Sequence, residues 1–144
     1  MNEKSVVIFI LSIFLCLSCY YLDLPGLNFD ECLGAAPAVK FLYGSNCEPM
    51  QIDPSVIHIF GRPLPIMIMP YISGLKTLLH IPFYAILGVS TVSTRLMPVT
   101  LVTLSICIFY LAVKKAKDAR TATLSSLLFA VHPVTVFYMT RDIT

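Results

Sequence analysis

The sequence predicts an all-α integral membrane protein, and three observations carry that prediction. The 144-residue chain is 57% hydrophobic and only 12% charged, against roughly 45–50% and about 25% in ordinary soluble domains. Four runs free of Asp, Glu, Lys and Arg, namely Ser5–Leu22, Thr77–Thr94, Leu96–Val113 and Thr121–Thr140, are 18 to 20 residues long. A helix needs ~20 such residues to cross a ~30 Å hydrocarbon core. Between the last two runs lies "KKAKDAR", Lys114–Arg120, with four basic residues and one acid, a turn that favours the cytoplasmic side.

Each element follows from this frame. Residues 1–22 form a first transmembrane helix. Lys4 precedes its apolar stretch, but no small-x-small cleavage pattern follows, so a retained anchor is expected rather than a signal peptide. Residues 93–113 form a second span, 114–120 a basic cytoplasmic loop, and 121–144 a third span and its exit. Parity then places residues 23–92 outside as one large loop, which carries five acids against three Lys/Arg. Within it, Ile66–Leu87 is apolar enough to suggest another span. Its Ser73, Lys76, Thr77 and His80 fall at i, i+3, i+4 and i+7, one face of a helix. A polar stripe on an apolar remainder predicts an amphipathic juxtamembrane helix lying in the interface; the alternative is a span tilted against neighbours. Pro82 and Gly88 then break the region before the next helix.

The chemistry concentrates in "LNFDECLGAAPAVKFLYG", Leu27–Gly44. Asn28 followed by Glu31 has the spacing of a capping box, which accounts for Glu31 without catalysis. Asp30 is surplus to that box. At a helix N-terminus its ionised form is favoured, which suits a base or a cation ligand. Arg62, in "GRPLPIMIMPY", stands where a cation can meet a lipid phosphate or snorkel to the headgroups. Arg95 and Arg141 fall at the outer ends of the second and third spans, where they anchor helices or favour an anionic substrate. Cys32 and Cys47 share the outer loop, free or paired. Cys16, Cys19 and Cys107 read as packing residues. His58, His80 and His132 show no metal-ligand spacing. The small net charge of +2 forms no nucleic-acid-sized basic patch.

Taken together, the anchor, the external Asp30–Glu31 pair and "GRPLPIMIMPYISGLKTLLHIPFYAILGVSTVSTRLMPV" resemble the start of a GT-C glycosyltransferase. The branch is that of protein O-mannosyltransferases and the bacterial aminoarabinose (lipid A) transferase. Tyr71, Gly74 and Lys76, then Phe83, Gly88 and Ser90, Arg95–Leu96, the basic turn and "HPVTVFYMTRD" carry the match in order. It extends from about residue 5 to 142. The resemblance implies a partial GT-C fold and transfer of a sugar from a polyprenyl or dolichyl phosphate to an acceptor hydroxyl outside the membrane. It implies Asp30 as general base, Arg62 on the donor phosphate, and Glu31, Tyr71, Lys76, Arg95 and Arg141 around donor or acceptor. No metal site or cofactor is required by it beyond the lipid-linked donor, and metal dependence stays open. Implied partners are membrane lipid, the polyprenyl-phosphate sugar and the remainder of a split or truncated transferase, with no nucleic acid. The implied location is a plasma or inner membrane in a prokaryote and the endoplasmic reticulum in a eukaryote. Pro37 departs from the pattern and should kink the helix after Asp30 or move its start. "Arg-Pro-Leu-Pro" replaces adjacent prolines, and the chain covers only the family's front end, so it is expected to be inactive alone. The competing reading is a non-catalytic multi-pass membrane subunit or scaffold whose acids serve only as caps.

Overall fold

The computed structural model describes residues 3–20, 22–23, 26–44, 56–69 and 72–141. These form α1 (Glu3–Cys19), α2 (Phe29–Tyr43), β1 (Val56–Ile59), β2 (Arg62–Pro65), β3 (Met67–Met69), β4 (Ile72–Ser73), α3 (Leu75–Leu87), α4 (Thr91–Ala116) and α5 (Ala119–Val131). A π-helical turn, Val134–Tyr138, and a short α6 (Met139–Arg141) follow. The all-α class holds in the main, since most of the chain is helical. The chain divides into two compact units, Met1–Leu24 with Pro98–Thr144, and Pro25–Met97. The division falls at Pro98 inside α4, where a missing backbone N–H interrupts the helical hydrogen-bond ladder.

In the first unit, Ile10 and Phe14 of α1 pack with Val99, Val102 and Ile106 of α4 and Ala130 of α5. α5 turns a row of small residues inward, Ala122, Ser126 and Ala130, spaced four apart and all fully buried. Such rows let helix backbones approach closely in lipid, where apolar side chains gain nothing by leaving their surroundings. The large side chains face out instead. Ile8, Phe9, Leu104, Ile108, Leu111, Leu124 and Leu128 are all more than half exposed.

α4 has 26 residues, about 39 Å at 1.5 Å per residue, and only 33% of its most apolar stretch is buried. It is long and apolar enough to cross a membrane. The predicted first span comes out shorter. α1 has 17 residues and takes Glu3 and Lys4 into its first turn, giving about 25 Å of helix against a ~30 Å core. The predicted third span is broken. His132 is extended, with φ −64° and ψ 131°, because the residue before a proline is steered away from helix. The chain resumes after Pro133 at a bend of 58°. α5 and the segment after it reach spanning length only when counted together. Where three spans are predicted, the described residues therefore hold one helix long and apolar enough to cross a membrane alone, or two such candidates if the bent pair is counted as one.

In the second unit, α2 packs on α3 through Ala35, Ala38 and Tyr84, flanked by Val39, Leu42 and Ile81. α2 continues through Pro37 without ending there. β1 and β2 form an antiparallel hairpin with Ile59 opposite Arg62 and Val56 opposite Pro65. Its two-residue turn, Phe60–Gly61, has φ 53° and 75°. Positive φ at both central positions is what lets a tight turn match the twist of its strands. β3 and β4 make a second small ribbon. The second ribbon replaces the first part of the predicted interface helix, Ile66–Leu87, so that α3 begins only at Leu75. The sequence offers a physical reason in Pro70, inside that run, since a proline steers the residue before it, here Met69, away from helix.

The polar stripe is also turned the other way from the prediction. Thr77 and His80 are buried at 0% and 1% exposure, whereas Leu75, Leu78, Ile86 and Leu87 are exposed. The face expected to meet headgroups packs inward against α2, to which Thr77 donates a hydrogen bond at the Gly34 carbonyl, 3.2 Å away. An outward apolar face remains compatible with an interface position.

Candidate functional site at the start of α2

The site is built from the first turn of α2, which is capped as predicted. Asn28 Oδ1 accepts from the Glu31 backbone N–H at 2.8 Å, and Glu31 Oε2 accepts from the Asn28 N–H at 2.9 Å. The two reciprocal bonds satisfy two otherwise orphaned amides. Glu31 also has a second partner that the local sequence does not announce. Arg95, from the second turn of α4, donates from Nε to Oε1 at 2.7 Å and from Nη2 to Oε2 at 3.0 Å. Both side chains are buried, Glu31 at 0% and Arg95 at 2% exposure. Arg95 Nη2 donates further to the Gly26 carbonyl at 3.2 Å. This buried fork leaves Glu31 with a structural role and ties the start of α4 to the start of α2.

Asp30 is different. It is half-buried one position earlier, and among the described residues its carboxylate makes no hydrogen bond or ion pair. Lys76, from the first turn of α3, reaches the same end of α2 and donates from Nζ to the Asp30 carbonyl at 3.3 Å. Its methylene chain lies across Gly34, where a Cβ would come within 2.7 Å of its Cδ and Cε. A side chain at position 34 would require the lysine to shift from this path. Burial lowers the Lys76 pKa below its ordinary value, and the charges of Asp30 and Glu31 work against that shift.

Behind this end lies a second polar layer. His80 Nδ1 is 2.9 Å from the Lys76 carbonyl. A carbonyl only accepts, so the proton sits on Nδ1, and the buried Nε2 has no hydrogen-bond partner among the described residues. The ring stacks on Tyr84 with centroids 5.5 Å apart, and the Tyr84 hydroxyl meets Thr94 Oγ1 at 2.8 Å. Burial lowers the His80 pKa, and the Lys76 charge adds to that, while the Lys76 and Thr94 carbonyls oppose it. Burial likewise raises the Tyr84 pKa, the Thr94 hydroxyl opposing.

The structure therefore brings Asp30, Glu31, Lys76 and Arg95 together and places Arg62 elsewhere. Arg62 Nη1 donates to the Phe41 and Leu42 carbonyls at 3.0 and 2.6 Å. It thus satisfies the last turn of α2, about 17 Å along the helix from Asp30. Arg62 stands at the opposite end of α2 from Asp30. Arg141 belongs to the other unit, its guanidinium 4.2 Å above the Phe137 ring in a cation–π contact. Tyr71, Asp142 and Cys47 lie outside the described residues. Cys32 is a free, exposed thiol. Among the described residues no group of three or more His, Cys, Asp or Glu side chains stands ready to hold a metal ion. The roles of His80, Tyr84 and Thr94 went unread in the sequence. The i, i+3, i+4, i+7 stripe marked the right face of α3 and said nothing of what covers it.

Comparison with protein-family models, with curated proteins and with solved structures returns no match for this chain.

Proposed function

We propose that the chain is the front part of a membrane glycosyltransferase that moves a sugar from a polyprenyl-phosphate donor to an acceptor hydroxyl, with Asp30 as the general base. The observation that supports this reading is the division of labour between adjacent acids. Glu31 is consumed by the Asn28 cap and the Arg95 fork, whereas Asp30 keeps its carboxylate uncommitted at a helix N-terminus. In the step proposed, the acceptor oxygen attacks the anomeric carbon while its proton passes to Asp30. The carbon–oxygen bond to the donor phosphate breaks, and polyprenyl phosphate departs with the electron pair. A positioned base of this kind contributes typically 10²–10⁴-fold. Lys76, rather than Arg62, is the cation beside Asp30 and is assigned the donor phosphate.

The test is release of polyprenyl phosphate from a polyprenyl-phosphate sugar by the reading frame that contains this chain, compared with its Asp30→Asn variant. Turnover that survives the substitution rejects the assignment. The second reading, a non-catalytic membrane subunit, is favoured by Glu31 itself, an acid of the pair whose contacts are wholly structural. An inert wild-type protein that co-purifies with a separate membrane partner decides for it.

A further inference from the structure

The first unit carries a second constellation, at the end opposite to the exit of α4 from Pro98. Lys4 at the start of α1 and Lys114 at the end of α4 line one groove, and Lys115, Lys117 and Arg120 follow Lys114 within six residues, through the turn into α5. The two acids among them are already engaged. Asp118 accepts from the Arg120 and Thr121 backbone amides and the Thr121 hydroxyl at 2.8 to 2.9 Å. Glu3 Oε2 accepts from Lys114 Nζ at 2.5 Å. Lys4, Lys115, Lys117 and Arg120 are exposed, without an ion pair among the described residues.

Beside the Glu3–Lys114 pair, α1 and α4 leave a groove of about 400 Å³. Its lining is mostly apolar, with Val7 and Ile8 from α1 and Cys107, Tyr110 and Leu111 from α4, joined by Lys4 and by the paired Glu3 and Lys114. We propose that this groove seats an acyl chain of an acidic phospholipid whose phosphate is held by Lys4, Lys115 and Lys117. A neutral lipid would fill the groove equally well but leave the exposed cations without counter-charge; an anionic headgroup satisfies both features at once. The proposal rests on the membrane reading of α4.

The chain has no tryptophan, so a single introduced indole reports on its own surroundings. Leu111, 63% exposed, lies in the groove, and Leu104, 56% exposed, lies two turns away on the same helix. The full chain carrying Leu111→Trp or Leu104→Trp is reconstituted into phosphatidylcholine vesicles with a minor fraction of brominated phosphatidylglycerol or brominated phosphatidylcholine. Quenching is expected to be stronger with the brominated phosphatidylglycerol for Leu111→Trp and equal with both lipids for Leu104→Trp. Adding Lys4→Gln, Lys115→Gln and Lys117→Gln should abolish the preference, by roughly fivefold in lipid partitioning per cation, without altering Leu104→Trp quenching. Equal quenching of Leu111→Trp by the two lipids, or a preference that survives the three substitutions, overturns the proposal alone. Absence of quenching of Leu104→Trp by either lipid overturns the membrane reading, and this proposal falls with it.

Discussion

Arg95 closes a two-pronged, fully buried ion pair on Glu31 across 64 positions of sequence. Breaking a buried pair from one side leaves an uncompensated charge, which typically costs about 3–5 kcal/mol. Arg95→Met should therefore destabilise the protein by about that amount, read as a fall in the midpoint of thermal unfolding in detergent. The double variant Arg95→Met/Glu31→Leu should lose less than the sum of the two single variants. Its residual loss reflects the capping box, worth typically about 1 kcal/mol. Additive effects in this double-mutant cycle would deny the coupling.

Asp30→Asn should behave in the opposite sense. With no hydrogen bond to lose among the described residues, it forfeits its interaction with the helix dipole, about 0.3–1 kcal/mol, and the attraction of its charge for Lys76. A near-normal unfolding midpoint is expected together with the loss of transfer. A large destabilisation would assign Asp30 to the framework beside Glu31.

The two cations Arg62 and Lys76 should separate in kinetics. Arg62→Gln removes the donors that satisfy the end of α2, at a cost of roughly 1.5–3 kcal/mol for hydrogen bonds from a charged group, moderated by exposure. It should lower the unfolding midpoint and leave the KM for donor unchanged. Lys76→Gln should raise that KM. The reverse pattern would return the phosphate to Arg62.

His80 predicts a pH dependence with a definite sign. Its folded-state pKa lies below the ordinary value of 6.5 because burial disfavours the imidazolium. Between the two values the unfolded chain holds more protons than the folded one, so stability falls as pH drops through that window. The loss is complete below the folded value, and the group contributes nothing above 6.5. His80→Phe keeps the ring on Tyr84 and should flatten unfolding midpoints measured below pH 6.5. An unchanged acid slope would place the effect on other groups.

How far the sequence could be read follows from the range of the forces involved. The capping box was legible because Asn28 and Glu31 lie within one helical turn, where spacing alone decides the hydrogen bonds. The ribbon of β3 and β4 escaped because the apolar run of Ile66–Leu87 outweighed Pro70 within it, a residue that disfavours helix at its neighbours. His132–Pro133 sits inside an unbroken charge-free run, and hydropathy counting passes over the bend that proline imposes there.

By itself, then, the sequence determined the helical class, the apolar α4, the basic turn before α5 and the cap that frees Asp30 from structural duty. Each depends on neighbours along the chain. Only the tertiary structure decided that Arg95 belongs to Glu31, that Arg62 belongs to the far end of α2, and that the polar stripe of α3 turns inward. Periodicity states that one face of a helix differs from another. What covers that face, and which charge a guanidinium reaches in a low dielectric, depends on distances that arise only when remote segments pack.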